Sequence, residues 1–321
     1  MKAIVLRKLG GPDELRLEEV RTPEPGPGEV LVDVTAAGVN FMDVGTRTGL
    51  NSIAPLPMTP GVEGAGRVAA LGPDVRGLSV GDRVAWFFVV GSYAERVIAR
   101  ADALVRLPDA ISDEIGASVM MQGLTALNLT RGTYKIQPGD IALVHAAAGG
   151  VGLMLTQLVK ILGGRVIGRV SSEEKAAIAR AAGADHVVVA ADGDFSEQVL
   201  ALTDGEGVHV AYDGTGADSF YGSLASLRYH GVLAYYGHTI KRLPPIELLD
   251  LPRSVLVTYP VVHHLVRTHE ALVARSSELF GWLKEGRLEP RIGGRYALAD
   301  ARRAHEDIQS RRTMGKLLLL P

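Results

Sequence analysis

The run Val144-His145-Ala146-Ala147-Ala148-Gly149-Gly150-Val151-Gly152 limits the fold more than any other, because it joins two opposite periodicities. Ile141–His145 ahead of it is an apolar run of strand length. Behind it, Gly150–Leu162 carries Val151, Leu155, Leu158, Val159 and Leu162 at the 3-, 4- and 7-residue spacings of a helical stripe. Strand, glycine turn and helix follow in the order that presents the first helical N–H groups to an anion. Set against G-x-G-x-x-G, the run reads Ala147-x-Gly149-x-x-Gly152. Gly149 lets backbone approach a pyrophosphate closely, and Gly152 lets helix pack tightly on strand. The turn, with the N–H groups at the helix start, is therefore expected to hold a dinucleotide.

A tight βα connection without a ligand would use the same glycines, so the surroundings decide. Arg165–Val170 reads as the next strand and Ala-rich Glu173–Ala182 as the next helix, stopped by Gly183. His186–Ala190, Phe195–Leu202, Val208–Tyr212, Ala217–Leu227 and Val232–Tyr236 continue the alternation, and Val255–Tyr259 ends it. Repeated βα alternation means a doubly wound parallel sheet with helices on both faces. Upstream of residue 122 the texture differs. Lys2–Leu6, Leu15–Val20, Glu29–Val39, Gly64–Leu71 and Asp82–Phe88 are short β-rich runs separated by Gly- and Pro-dense turns. A β-barrel-like domain is expected there. Beyond residue 265, a Thr268–Glu285 helix precedes a short strand, an Asp300–Gln309 helix and a terminal Lys316–Leu320 strand. That last strand cannot pack alone and is expected to return to the first domain. The division is then 1–122 with 266–321, and 123–265, which suits a 321-residue chain.

The end of the second strand, about 20 residues past the fingerprint, selects the dinucleotide. Here it reads Val170-Ser171-Ser172-Glu173-Glu174-Lys175, with Arg169 just upstream. Two hydroxyls and a lysine one turn into the helix suit a 2′-phosphate. NADPH is the expected cofactor, contacted by Ser171, Ser172 and Lys175. Ser172 can also N-cap the helix, with Glu173 and Glu174 favouring its dipole. Glu173 taking the ribose hydroxyls is the alternative.

Composition removes several other chemistries. The chain has no cysteine, so disulfides, thiolate nucleophiles and cysteine-containing zinc sites are excluded. Its nine histidines all lie beyond residue 144, so the first domain is expected to offer zinc only carboxylates, which zinc disfavours. No metal is expected. A formal charge of −2 gives no footprint for nucleic acid or anionic membrane. No apolar run reaches the roughly 18 residues of a membrane span, and a cytoplasmic protein is expected.

In order along the chain stand Gly10-Gly11-Pro12-Asp13, Gly38-Val39-Asn40-Phe41-Met42-Asp43, Gly61-Val62-Glu63-Gly64-Ala65-Gly66 and Val80-Gly81-Asp82-Arg83-Val84. Gly123-Leu124-Thr125-Ala126, the glycine turn, Gly183-Ala184-Asp185, Ala211-Tyr212-Asp213-Gly214 and Gly315-Lys316-Leu317-Leu318-Leu319 follow. With these motifs the chain resembles the zinc-free, zeta-crystallin-like NADPH:quinone oxidoreductases of the medium-chain dehydrogenase/reductase superfamily. The resemblance implies an α/β chain with a GroES-like β-barrel catalytic domain and a Rossmann domain, reducing substrate in the cleft between them. In zinc-dependent relatives a Cys and a Gly-His-Glu segment bind metal; the matching stretches here are Asn40-Phe41 and Gly61-Val62-Glu63. By the same resemblance Asn40 lies near the nicotinamide, Ala148, Gly149, Gly150 and Val151 of the turn contact the cofactor, Lys175 lies near the 2′-phosphate, and Arg311 holds the cofactor from the tail. Tyr134 and Gly237 match motifs that line the cofactor, or else serve packing and a strand-end turn.

Departures from the family pattern fall at Gly45 and Asn51, where tyrosines usually border the substrate pocket, and at Gln122, Ala190 and Tyr259. Gly45 and Asn51 point to a more open pocket, whereas Ala190 and Tyr259 bear on NADPH affinity. Asn40 and Gln122 are candidates for orienting a substrate carbonyl. The expected reaction is hydride transfer from NADPH to a quinone, with a 2-alkenal or enone as the alternative acceptor. A non-catalytic structural or RNA-binding role is the remote one. The apolar Val255–Val262 segment suggests a homodimer.

Overall fold

The computed structural model describes residues 1–190, 195–237, 243 and 245–321; one histidine, His238, lies outside them. The chain divides into two compact units, Met1–Met121 with Val266–Gly286 and Pro290–Pro321, and Gln122–Leu265 with Arg287–Glu289. The first begins with β1 (Lys2–Leu6) and β2 (Leu15–Glu19), an antiparallel pair. It continues through β3 (Glu29–Val39), α1 (Phe41–Thr48), β4 (Glu63–Leu71), β5 (Arg83–Phe87), β6 (Arg96–Arg100) and β7 (Leu104–Arg106). Helix α2 (Asp113–Leu127) carries the chain into the second unit. There β8 (Ile141–His145), α3 (Gly150–Ile161), β9 (Arg165–Val170), α4 (Glu173–Ala181) and β10 (His186–Val189) are followed by α5 (Ser196–Ala201) and β11 (Val208–Asp213). Next come α6 (Phe220–Ala225), β12 (Leu227–Tyr235) and β13 (Leu256–Thr258). The tail supplies α7 (His269–Lys284), β14 (Ile292–Ala297), α8 (Ala301–Gln309) and β15 (Lys316–Leu320).

In the first unit a seven-stranded sheet runs β14-β15-β3-β4-β5-β7, with β6 also paired to β3. The terminal strand does return: Leu317–Leu319 of β15 pairs antiparallel with Val39–Ala37 of β3. Inward residues of these strands, among them Val32, Val68, Val84, Trp86 and Leu317, form one buried cluster. Removal of that much apolar surface from water is the main force holding the unit together.

The second unit holds six parallel strands in the order β10-β9-β8-β11-β12-β13. From β8 the chain moves outward through β9 and β10, then crosses back to β11. The strand order therefore reverses between β8 and β11, the place where open α/β sheets bind ligands. The glycine turn follows β8 directly.

Two helices escaped the sequence reading. Helix α1 holds Gly45 and two threonines in eight residues, so its propensity is poor and packing decides it. Helix α2 is apolar on most sides and lacks a one-sided stripe. Two strand limits also move. Strand β12 starts at Leu227 because a bulge between its pairings to Val208 and Val210 admits the extra residues, and β13 keeps only three.

Candidate cofactor site

The turn after β8 is shaped by contacts that exclude side chains. A Cβ on Gly152 would overlap the Ala146 carbonyl oxygen and stand 2.8 Å from Ala147 Cα. One on Gly150 would meet the Gln122 amide at 2.5 Å. Ala146 takes a left-handed φ of 48°, and its carbonyl accepts the Gly149 N–H at 2.7 Å. Ala148 is buried, whereas Gly149, Gly150 and Val151 are half-buried at the start of α3. The first helical N–H groups have no intrahelical partner and carry the positive end of the dipole.

At the end of β9, Ser172 caps α4 by accepting the Lys175 N–H at 3.4 Å. The Lys175 ammonium donates to Ser171 Oγ at 2.9 Å. Three polar groups are thus gathered at one strand end, and Ser172 takes the N-cap role foreseen in the sequence.

Beneath the turn lies a buried relay. His145, Asp213 and Ser223 are each 0% exposed. Arg169 lies 3.4 Å from His145 Nδ1, His145 Nε2 lies 2.9 Å from Ser223 Oγ, and Ser223 donates to Asp213 Oδ2 at 2.7 Å. Because Arg169 and Ser223 both donate, the imidazole must accept at Nδ1 and carry its proton on Nε2. Burial pushes the His145 pKa down, so the ring is neutral. Burial also acts to raise the Asp213 carboxyl, but hydrogen bonds from the Thr215 N–H and the Ser223 and Ser219 hydroxyls hold it low.

Among the other expected positions, Gln122 is buried. The Tyr134 hydroxyl donates to Asp140 at 3.1 Å. Gly237 packs against the Gly214–Gly216 turn, where a Cβ would meet the Gly216 nitrogen at 2.7 Å. These lie in the second unit with the glycine turn. Asn40 and Arg311 lie in the first, Arg311 exposed with a φ of 56°.

Asn40 stands at the N-terminus of α1, 7% exposed, inside a charged cluster. Its Nδ2 donates to Glu63 Oε2 at 3.0 Å and to the Gly38 carbonyl at 3.2 Å, and its Oδ1 accepts from Lys316 Nζ at 2.8 Å. Lys316 also pairs with Glu63 Oε2 at 2.5 Å, while Glu63 Oε1 accepts the Met121 N–H at 2.7 Å. Asp43 Oδ2 takes the Asn40 backbone N–H and the Tyr93 hydroxyl, each at 2.9 Å. Behind Tyr93 stands His305 at 3.2 Å, and Arg47 donates to His305 at 3.4 Å. Burial pushes Asp43 up to about 7 and His305 down to about 3.

Residues 26–109 match the family model for the alcohol dehydrogenase GroES-like domain, and residues 150–271 match that for zinc-binding dehydrogenase. A quinone oxidoreductase of Pseudomonas aeruginosa is 41% identical over 323 residues, covering 100% of this chain and 99% of its own. This chain belongs to the quinone oxidoreductases of the medium-chain dehydrogenase/reductase superfamily. The solved Escherichia coli quinone oxidoreductase complexed with NADPH has a TM-score of 0.97 at 36% identity, over 100% of both chains. A 2-haloacrylate reductase of a Burkholderia species is 37% identical, covering 99% of this chain and 98% of its own.

For this quinone oxidoreductase, the zinc named in the second family model can be tested against the residues. Asn40, Val62 and Glu63 stand in the stretches that the resemblance matches to zinc ligands, and the Lys316 ammonium already sits on the Glu63 carboxylate. A cation on that carboxylate would face another cation, so the residues do not fit zinc. Among the described residues no group of three His, Asp or Glu side chains could hold a metal ion. The histidine argument itself needs correcting. His305 comes from the tail yet lies buried in the first unit, because β15 and α8 return there.

The geometry also limits what Asn40 can offer a ligand. Both its amide hydrogens are donated within the protein, so its open capacity is one acceptor lone pair. It cannot donate to a substrate carbonyl without giving up a bond. Sequence reasoning passed over Glu63, Lys316, Asp43 and the His145–Ser223–Asp213 relay. One signal was available: Lys316 heads an otherwise apolar strand and Glu63 stands among small residues at the start of β4, where a charge requires a buried partner.

Proposed function

We propose that the protein reduces a quinone with NADPH and without a metal. The observation that carries the cofactor choice is the Ser171–Lys175 pair at the end of β9, which presents an ammonium and hydroxyls. When bound, NADPH supplies the hydride. In this reading Ala148, Gly149, Gly150 and Val151 hold the pyrophosphate, and Ser171, Ser172 and Lys175 hold the 2′-phosphate. Asn40, Tyr134, Gly237 and Arg311 complete the contacts. Gln122 is the candidate for orienting the acceptor carbonyl, and the protein's share is to position the reactants and exclude water.

A second reading, reduction of an activated alkene, is supported by the name of the 2-haloacrylate reductase relative. The Asn51 N–H donates to the Gly45 carbonyl at 3.1 Å, so the two positions where pocket tyrosines are missing lie together. A panel of quinones and enones assayed with NADPH and with NADH separates the readings. Quinone turnover with NADPH is expected; turnover of enones alone overturns it.

The proposal includes a cytoplasmic homodimer with no nucleic-acid or membrane partner. Support for the dimer comes from edge strand β13, where Leu256 is 63% and Val257 38% exposed, and from Tyr259 just beyond it, 49% exposed.

A further inference from the structure

We propose that Glu63 and Lys316 are positioning residues that fix the sense of the Asn40 amide, leaving it an acceptor-only contact for an N–H or O–H donor of the cofactor. The inference rests on the reading of Asn40 as a nicotinamide contact and adds the reason for its orientation.

An asparagine amide has an oxygen and a nitrogen of similar size, and neutral partners can accept either orientation. Here the partners allow only one. An ammonium has donors only, so Lys316 can face only Oδ1; a carboxylate has acceptors only, so Glu63 can face only Nδ2. Flipping the amide would break both charge-assisted bonds and set like groups together. The charges themselves cannot step aside. Glu63 Oε1 is held by the Met121 N–H, and Glu63 and Lys316 are 0% and 1% exposed.

Five elements converge to build this clamp: β3, the start of α1, β4, α2 and β15. Gly38 of β3 leaves it room, since a Cβ there would overlap Glu63 Oε2 and stand 2.6 Å from Lys316 Cε. The Asn40 backbone is held separately by Asp43. A buried ion pair is weak evidence for stability, because apolar residues of similar volume often serve as well. Of the three side chains, Asn40 alone retains more than 1% exposure, so the clamp reaches its surroundings through that amide.

Replacing one partner alone strands a buried charge, so the informative variant is Glu63→Gln/Lys316→Met, which removes both. It is expected to unfold near the wild-type temperature. Its NADPH Kd should rise, and its kcat fall, by about tenfold or more, with quinone KM unchanged. A merely structural pair would give a folded double variant with both values within about twofold of wild type, which overturns the proposal. A second measurement decides the matter if that variant does not fold. The protein has three asparagines, Asn40, Asn51 and Asn128, so side-chain 15N-asparagine labelling resolves three amide pairs. The Asn40 pair is assigned by its loss in Asn40→Ala. In wild type its two hydrogens should exchange at least about tenfold more slowly than free amides, with and without NADPH. Exchange at the free rate overturns the clamp. Unchanged NADPH binding in Asn40→Ala would instead refute the cofactor reading while slow exchange left the clamp standing.

Discussion

Replacing Ser223 by alanine isolates the energetic worth of the relay beneath the glycine turn. In the native protein Ser223 Oγ accepts from His145 at 2.9 Å and donates to Asp213 at 2.7 Å. Alanine removes both bonds, and His145 Nε2 remains 3.9 Å from Asp213 Oδ2, too far to replace them directly. Asp213 keeps Ser219 and Thr215. The imidazole N–H, 0% exposed, is left without an acceptor. An unsatisfied buried donor costs about 1–3 kcal/mol, and the lost hydrogen bond to the carboxylate adds roughly 1.5–3 kcal/mol more. The second unit should therefore lose about 2.5–6 kcal/mol, read from urea unfolding at constant m-value. A loss below about 0.5 kcal/mol, within the range of ordinary surface substitutions, would refute the reasoning.

Three further outcomes follow from the same contacts. Two buried groups of opposite sign govern how the first unit responds to pH. His305, held down to about 3, contributes stability that is full above its ordinary 6.5 and is lost as pH falls toward 3. Asp43, raised to about 7, contributes stability that is full below its ordinary 3.8 and is lost as pH rises through 7. Each is worth roughly 4 kcal/mol at full shift and they nearly offset, so His305→Phe should turn a flat profile into a steady decline from about pH 4 to 7; a flat variant contradicts this. Gly152→Ala should lower both stability and NADPH affinity, because its Cβ overlaps the Ala146 carbonyl; calorimetry and titration showing neither would count against the turn. Leu256→Lys should convert a dimer to monomer by light scattering, and an unaltered mass would remove β13 from the interface.

The second unit was the more legible in sequence because its signals are local. A glycine turn between a strand and a helical stripe needs only neighbours along the chain, and the Ser172 cap is set within four residues. The return of Lys316–Leu320 was also legible, since an isolated apolar strand must find a sheet. The Asn40 clamp was hidden for the opposite reason. Asn40, Glu63 and Lys316 are separated by 23 and 253 residues, and no periodicity links them. His305 was legible but passed over: the expected division already gives 266–321 to the first domain, and a histidine count confined to residues 1–144 leaves that tail out.

The central claim is that an ammonium at the end of β9 selects NADPH, and parallel titrations of wild type and Lys175→Ala with NADPH and NADH test it directly. Lys175 reaches Ser171 Oγ at 2.9 Å, and its loss removes one charge-assisted contact to a 2′-phosphate. Such a contact is worth about 1.5–3 kcal/mol, so the NADPH Kd should rise roughly ten- to hundredfold while the NADH Kd stays the same. Equal changes for both cofactors, or none for NADPH, would contradict the account.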